Sequence, residues 1–345
     1  MRTYSQSKHP LFTGFLFFAL ALALLPACKG QVKDSAANPR EAAQDGGAKG
    51  MDGGGIILGF SQIGAESAWR NCHTRSVQDA AAEAGVQLLF SNAEQKQENQ
   101  IRAIRSFIAY QVDVIAFVPI VSTGWDNVLA EARDAGIPVL VTDRKIDVQD
   151  ESLYAGFIGT DSFTEGLAAA EFLLEKIPDR TKPVRIVELS GTIGSSVAID
   201  RAAGFRQGLA PYPQFEIIYS ESGDFLRSKG YELMNKILND YEDIDVIFSH
   251  NDGMTLGVMA AMKERGFNPG VDMLIVTVDA EQAAIDALSR GEVNCVIECN
   301  PKQGPEIISL ARQLARGEKI PALIHVEETV FDEDTDFSAL PARGY

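Results

Sequence analysis

The feature that most restricts the fold of this chain is a regular alternation of short apolar runs with segments of helical periodicity, from Ile56 onward. Residues 56–60 and 86–90 are apolar runs, and apolar side chains recur between them at helical spacing until Gly85. The same unit repeats, which predicts further strands at 112–119, 137–142, 184–189, 215–220, 246–249 and 273–278. Apolar strands that alternate with amphipathic helices are typical of a parallel sheet covered on both faces.

The alternation restarts near residue 160, which indicates a second unit of the same kind. Helices are predicted in that half at 163–177, 198–209, 229–238, 254–265 and 282–290. The roughly 290 residues beyond position 55 are enough for two core-forming lobes. We therefore expect an α/β fold of two doubly wound parallel-sheet lobes, with a ligand cleft between the carboxyl ends of their strands.

The first 27 residues have the layout of a secretory signal. Arg2 and Lys8 supply positive charge, residues 11–25 are almost entirely apolar, and a Pro-Ala-Cys sequence closes on Cys28. The apolar run is shorter than the roughly 20 residues that cross a bilayer as a helix. A cysteine after a small residue resembles the bacterial lipobox, so we expect Cys28 to carry a lipid that anchors the protein to a membrane. A cleaved signal with an incidental cysteine is the alternative.

Residues 28–55 form the predicted tether between the lipid and the folded part of the chain. Lys, Ala, Gly, Asp, Asn and Gln dominate this segment, which offers little to bury. The whole chain has a net charge of −17, and removal of residues 1–27 makes it −19 because that segment holds two basic residues and no acidic one. A chain this acidic repels phosphate backbones, so no nucleic-acid partner is expected.

Polar and aromatic residues collect in the loops that follow the predicted strands, at 61–70, 143–144, 200–201, 250–252, 279 and 298–300. Carboxylates and arginine forks can each engage a pair of adjacent sugar hydroxyls. An indole such as Trp69 can cover the apolar face of a sugar ring. Each residue also has a purely structural interpretation: Asp143 and Arg144 as a surface ion pair, Asp200 and Asp252 as helix caps, and Trp69 as core. Their common position at strand ends favours sugar binding.

Catalytic, metal and cofactor sites are not predicted. The histidines His73, His250 and His325 lack metal-ligand spacing, and neither a nucleophile elbow nor a phosphate loop occurs. Residues 191–194 (GTIG) follow a strand as a dinucleotide loop would, but the third glycine of that motif is missing. Three cysteines remain beyond Cys28. They are expected to be buried thiols, with a Cys295–Cys299 pair as the alternative.

Several segments together resemble the periplasmic sugar-binding proteins of ABC importers, of the ribose/galactose type, and most of all the galactofuranose binders. They are 59–70 (GFSQIGAESAWR), 95–101 (QKQENQI), 123–126 (TGWD), 143–144 (DR), 197–201 (VAIDR), 222–230 (SGDFLRSKG) and 250–252 (HND). The similarity runs in order over nearly everything from Ile56 to Tyr345. It implies a periplasmic-binding-protein-like fold of type I and a binding function without catalysis.

The resemblance also implies which side chains contact the sugar. They are Ser61, Glu66, Trp69, Arg70, Asp143, Arg144, Arg201, Asn251, Asp279 and Glu298. Glu298 stands where ribose binders usually carry glutamine, and Arg70 replaces a second aromatic residue. Both departures argue against plain ribose and favour galactofuranose or a related aldose.

In this family the two lobes are discontinuous and joined by three crossovers, which here are expected near residues 159–161, 299 and 328. The first lobe would then comprise 56–160 and 299–328, and the second 161–298 and 329–345. The implied mechanism is hinge closure around a sugar that touches both lobes. The implied partners are the sugar and the transmembrane subunits of an ABC permease, with the chain itself a monomer held in the periplasm or at the cell surface by its lipid.

Three other functions fit parts of the sequence. A receptor that signals sugar occupancy to a membrane kinase or chemoreceptor would use the same fold without transport. A cytoplasmic transcription regulator with a related core is disfavoured, because residues 1–55 hold a signal and tether where a DNA-binding helix-turn-helix would be needed. An extracellular enzyme would show substrate turnover.

Overall fold

The computed structural model describes residues 55–345. The predicted signal peptide, almost all of the predicted tether and the expected lipidation site Cys28 lie outside the described residues. Within the described part of the chain, no helix combines the length and apolar character needed to cross a membrane. The cysteines in this range, at positions 72, 295 and 299, are buried free thiols, and no Cys295–Cys299 disulfide is present.

The first lobe is built on a six-stranded parallel sheet with strand order β2-β1-β3-β4-β5-β11. Its strands are β1 (Ile57–Gln62), β2 (Gln87–Asn92), β3 (Val114–Phe117), β4 (Val139–Thr142), β5 (Gly156–Gly159) and β11 (Leu323–His325). The helices are α1 (Ala68–Glu83), α2 (Gln97–Tyr110), α3 (Asp126–Asp134) and α9 (Gly304–Ala315). The central strands β3 and β4 are buried on both faces, as their continuous apolar sequences require.

The second lobe repeats this plan with strand order β7-β6-β8-β9-β10-β12, and only the edge strand β12 runs antiparallel. Its strands are β6 (Val184–Ser190), β7 (Phe215–Ser222), β8 (Val246–Ser249), β9 (Leu274–Asp279), β10 (Cys295–Glu298) and β12 (Val330–Phe331). The helices are α4 (Ser162–Lys176), α5 (Ser196–Leu209), α6 (Arg227–Asp240), α7 (Asp252–Glu264) and α8 (Gln282–Ser289). The predicted fold class is therefore confirmed.

The chain passes three times between the two sheets. It leaves the first sheet after β5, returns after β10 to form α9 and β11, and crosses again to β12. Helix α9 packs against α1, which ties the returning segment to the first lobe. Because the carboxyl ends of parallel strands share one edge of each sheet, the loops after β1, β4, β8 and β9 face a common cleft.

Helix α1 begins earlier than its apolar periodicity indicates. The side chain of Ser67 caps it by accepting a hydrogen bond from the Arg70 N–H (3.0 Å). The first turn carries Trp69 and Arg70 into the cleft, so its residues do not follow an apolar stripe. The structure also adds six elements that the alternation did not predict, namely β5, β10, α9, β11, β12 and a short 3-10 helix at Glu151–Leu153.

Candidate functional site

A narrow cavity lies between the two lobes at the ends of their strands, with a volume of about 320 Å³ including the space at its mouth. Both lobes contribute walls. The lining residues are Glu66, Ser67, Trp69, Arg70, Asp143, Arg144, Val197, Arg201, Phe225, Asn251, Asp279 and Cys299.

The wall from the first lobe is a buried network of charges around Arg70. The Arg70 guanidinium donates from Nη1 to Asp143 Oδ2 (2.7 Å) and from Nε to Glu66 Oε1 (3.0 Å). Burial disfavours the charge on Arg70, yet Asp143 and Glu66 outweigh it and raise its pKa above the ordinary value. Burial alone would raise the pKa of Asp143, but Arg70, His73 and Arg144 together lower it. Asp143 is therefore a carboxylate that can accept hydrogen bonds.

Arg144 is the residue of this wall whose charge is least well compensated. Its side chain is only 3% exposed, and Nη1 donates to the Ile120 carbonyl oxygen (3.0 Å) while Nε stays 4.0 Å from Asp143. Burial and the like charge of Arg70 lower the pKa of Arg144 to about 10. A buried cation that lines the cavity and has an N–H without a partner is suited to bind an oxygen-rich ligand.

The second lobe supplies a matching set of buried polar and charged side chains. Arg201 donates from Nε to Glu165 Oε2 (2.6 Å) and from Nη1 to the His250 carbonyl oxygen, and its Nη2 lies 3.9 Å from Asp279 Oδ1. Burial raises the pKa of Asp279 well above its ordinary value, although Arg201 lowers it in part. Asn251 caps α7 through Oδ1, which accepts from the Met254 N–H (3.0 Å), and Nδ2 donates to the Phe225 carbonyl oxygen.

The two aspartates occupy equivalent places, since Asp143 follows β4 and Asp279 ends β9 at the fourth position of each sheet. Both have positive φ angles, 63° at Asp143 and 127° at Asp279. Non-glycine residues adopt such values only where the surroundings enforce them, and they are frequent at functional sites. The backbone at both positions thus turns a carboxyl group towards the cavity.

Direct hydrogen bonds join the lobes around the cavity. The donors are main-chain N–H groups. That of Trp69 donates to Glu281 Oε1 (3.1 Å), and that of Lys145 donates to Ser196 Oγ (2.8 Å). The Ser122 N–H donates to the Gly194 carbonyl oxygen (2.8 Å). Lys145 Nζ also lies 3.5 Å from Asp200 Oδ2. These contacts hold the cleft in a closed arrangement, which shields the charged walls from water.

Two polar atoms of the cavity walls are buried and have no hydrogen-bond partner within the described residues: Glu66 Oε2 and Arg144 Nε. An unsatisfied buried group costs about 1–3 kcal/mol, more when it is charged. One acceptor and one donor on the same wall can be satisfied together by hydroxyl groups, which both donate and accept. The chemistry of the cavity is therefore complementary to a polyol.

Eight of the ten side chains predicted to contact sugar line this cavity; Ser61 and Glu298 do not. Ser61 is fully buried within β1. The Glu298 carboxylate pairs instead with Arg343, which does not line the cavity. Of the structural interpretations only that of Trp69 holds in part, since its indole also packs on His73 with ring centroids 5.4 Å apart. The helix-cap interpretation is wrong for Asp200 and Asp252, because Ser195 caps α5 and Asn251 caps α7. Asp143 and Arg144 are buried and do not form a surface pair.

Four lining residues were not predicted: Ser67, Val197, Phe225 and Cys299. The Phe225 ring lies 5.2 Å from the Arg144 guanidinium and fills space that only a glycine at position 191 leaves open, since a Cβ there would lie 1.8 Å from the ring. Phe225 is the only aromatic residue of the 222–230 motif, and this was the signal in the sequence that could have predicted it. Cys299 accepts a hydrogen bond from Trp69 Nε1 through its carbonyl oxygen, which no sequence pattern indicates.

One group of potential metal ligands joins the cavity residue Cys299 to Glu165, which is buried, and to Glu328, which is partly buried. Ligand atoms of Glu165, Cys299 and Glu328 lie within 4.8 Å of one another. Arg201 already donates to Glu165 and supplies positive charge at this place. The group therefore forms part of the electrostatic support of Arg201.

The sequence model of one protein family, the periplasmic binding protein domain, matches residues 58–319 of this chain. The chain belongs to the periplasmic binding protein family. It is 40% identical over 284 residues to the galactofuranose-binding protein YtfQ of Escherichia coli (strain K12). The aligned residues cover 81% of this chain and 89% of that protein. The family resemblance predicted from the motifs is thus confirmed.

Solved structures of periplasmic binding proteins agree with this assignment. A Mycobacterium smegmatis structure in complex with β-D-fucofuranose is 47% identical, has a TM-score of 0.82, and is matched over 84% of this chain and 95% of that one. The binding component of the arabinose ABC transporter from Shewanella sp. ANA-3, bound to α- and β-L-arabinofuranose, is 42% identical with a TM-score of 0.77, over 81% and 92% of the two chains. The Escherichia coli and Shewanella relatives are named as binding proteins.

Proposed function

We propose that this chain is an extracytoplasmic lipoprotein that captures a monosaccharide, galactofuranose or a related aldose, and delivers it to an ABC permease. The observation that carries the proposal is the pair of opposed charged walls, with Glu66 Oε2 and Arg144 Nε buried and unpartnered on one of them. Hydroxyl groups of a single sugar can satisfy both walls at once.

The furanose form is supported by the ligands of the relatives, which are named for galactofuranose, β-D-fucofuranose and L-arabinofuranose. The narrow cavity supports one ring rather than an oligosaccharide. The two lobes of a single chain supply both walls of the cleft, and we propose that the protein acts as a monomer.

Closure around the sugar would use the three passages of the chain between the sheets as a hinge. The lobe boundaries proposed at 160/161, 298/299 and 328/329 follow these passages. A ligand shifts an open–closed equilibrium only by binding the closed form better, and contact with both lobes supplies that difference. The lipid on Cys28 and the tether would keep the closed form near the permease, in the periplasm or at the cell surface.

Paired substitutions test whether the sugar bridges the lobes. Asp143→Asn removes a carboxylate from the first wall and Asp279→Asn removes a carboxyl group from the second, and each is expected to weaken sugar binding at least tenfold, about 1.4 kcal/mol. Asp134→Asn, at a residue 71% exposed, is the matched control and should bind as the wild type does. Loss in only one of the two variants would contradict binding by both lobes.

A further inference from the structure

The turn that carries Asp279 is strained at two consecutive residues. Asp279 has a φ of 127° and Ala280 a φ of 66°, and both have a Cβ. Such backbone persists only where surrounding contacts over-determine it. Because the same turn directs the Asp279 carboxyl group into the cavity, whatever holds the turn also sets the geometry of the binding site.

Residues Arg343–Tyr345, called here the clamp, hold this turn from behind. The Tyr345 hydroxyl donates to the Asp279 carbonyl oxygen (3.2 Å), and Arg343 Nε donates to the Ala280 carbonyl oxygen (3.3 Å). Gln282, two residues beyond Ala280, is held as well, since its main-chain N–H donates to the Tyr345 main-chain oxygen (2.7 Å) and its Oε1 accepts from the Arg343 N–H (2.9 Å). Each carbonyl oxygen of the strained pair thus receives a donor from the clamp.

The clamp is itself anchored. Arg343 pairs with Glu298, donates to the Tyr345 hydroxyl oxygen (3.0 Å), and lies 5.5 Å from the Phe331 ring centroid. Burial raises the pKa of Tyr345, so its hydroxyl remains a proton donor. Glu298, which the sequence predicts as a sugar ligand, is the residue that fixes Arg343.

The clamp also reaches the first lobe. Arg75 on α1 donates from Nη2 to the Gly344 carbonyl oxygen (3.4 Å), and Lys302 lies 5.9 Å from the Tyr345 ring centroid. The strained turn of one lobe is therefore connected, through three residues, to the other lobe.

We propose that Arg343 and Tyr345 are positioning residues for sugar recognition, which hold the Asp279–Ala280 turn in the left-handed conformation that directs Asp279 into the cavity. This inference rests on the proposed function. Neither residue touches the cavity, so both act through the turn. Without the clamp, the turn keeps the Cys299 N–H on the Asp279 carbonyl oxygen (3.2 Å) and the bond from the Glu281 N–H to Asp252 Oδ2 (2.7 Å). Ala280 then shifts towards negative φ, and Asp279 occupies its binding position in a smaller fraction of molecules.

A rescue experiment separates positioning from general stabilisation. The double variant R343A/Y345F removes both donors to the turn, and its affinity for D-galactose or L-arabinose, measured by calorimetry on the full chain, is expected to fall at least tenfold. Adding Ala280→Gly should restore at least a third of the wild-type affinity, because glycine adopts positive φ without steric cost. R316A removes an exposed arginine paired with Glu318 and is the matched control, with unchanged affinity.

Wild-type affinity in the double variant, or a loss that Ala280→Gly leaves unrestored, would overturn the inference. Hydrogen exchange at the Glu281 and Gln282 amides gives a readout that needs no sugar: faster exchange in R343A/Y345F than in R316A supports the clamp, and equal exchange refutes it. If the wild type binds no sugar at all, the proposed function fails while the exchange result still decides the inference.

Discussion

Replacement of Arg144 by methionine should weaken sugar binding strongly while leaving the fold as stable as before or more so. Met has a comparable length but no charge, and Arg144 is almost fully buried with an unpartnered Nε. Burial and Arg70 lower its pKa to about 10, and at about 1.4 kcal/mol per pKa unit the cost of holding this charge is on the order of 3 kcal/mol. That cost disappears in Arg144→Met.

The sugar, in contrast, loses charge-assisted hydrogen bonds worth about 1.5–3 kcal/mol each. We therefore expect a loss of affinity of roughly 100-fold by calorimetry, with an unchanged or higher midpoint of thermal unfolding. Arg105→Met, at an exposed arginine paired with Glu131, is the control and should change neither quantity appreciably. Unchanged affinity would remove Arg144 from the site, and a large drop in the unfolding midpoint would show that its role is structural.

Three further predictions concern other parts of the chain. Burial and Glu165 raise the pKa of Glu328 to about 11, far above its usual 4.5, so its contribution to stability is full below pH 4.5 and is lost as pH rises towards 11. Urea unfolding from pH 5 to 9 should show stability falling by up to about 1.4 kcal/mol per pH unit relative to Glu328→Gln, and parallel curves would contradict this. Gly191→Ala would push the Phe225 ring away from Arg144, because the new Cβ lies 1.8 Å from that ring, and titration should show binding at least tenfold weaker; wild-type affinity would show that Phe225 is not required. Cys28→Ser should move the protein from the membrane fraction to the soluble fraction, and persistence in the membrane fraction would refute the lipid anchor.

The fold follows from features that are local in sequence. Central strands such as β3 and β8 are short apolar runs because both faces of each sheet are covered, and this pattern is visible without a structure. Most of the cavity lining also follows, because residues directly after parallel strands, such as Asp143 and Asp279, must meet at one edge. The edge strand β12 has only two residues and leaves no comparable pattern.

Contacts between residues distant in sequence could not be predicted. Glu298 ends a strand, as the ligand residues do, but its carboxylate is taken by Arg343, 45 positions later. The indole of Trp69 is both a cavity wall and a donor to the Cys299 carbonyl oxygen, 230 positions later. A residue type at a strand end predicts which chemistry is available there, but the tertiary partner decides how much remains for a ligand.

The central claim is that one sugar bridges the two charged walls, and titration calorimetry tests it most directly. The purified chain would be unfolded and refolded to remove retained ligand, then titrated with galactofuranose, D-galactose, D-fucose, L-arabinose, D-ribose and D-glucose. We predict micromolar or tighter binding of galactofuranose or of a related aldose in the panel, with D-ribose and D-glucose bound much more weakly. Absence of binding by every sugar in the panel would contradict it.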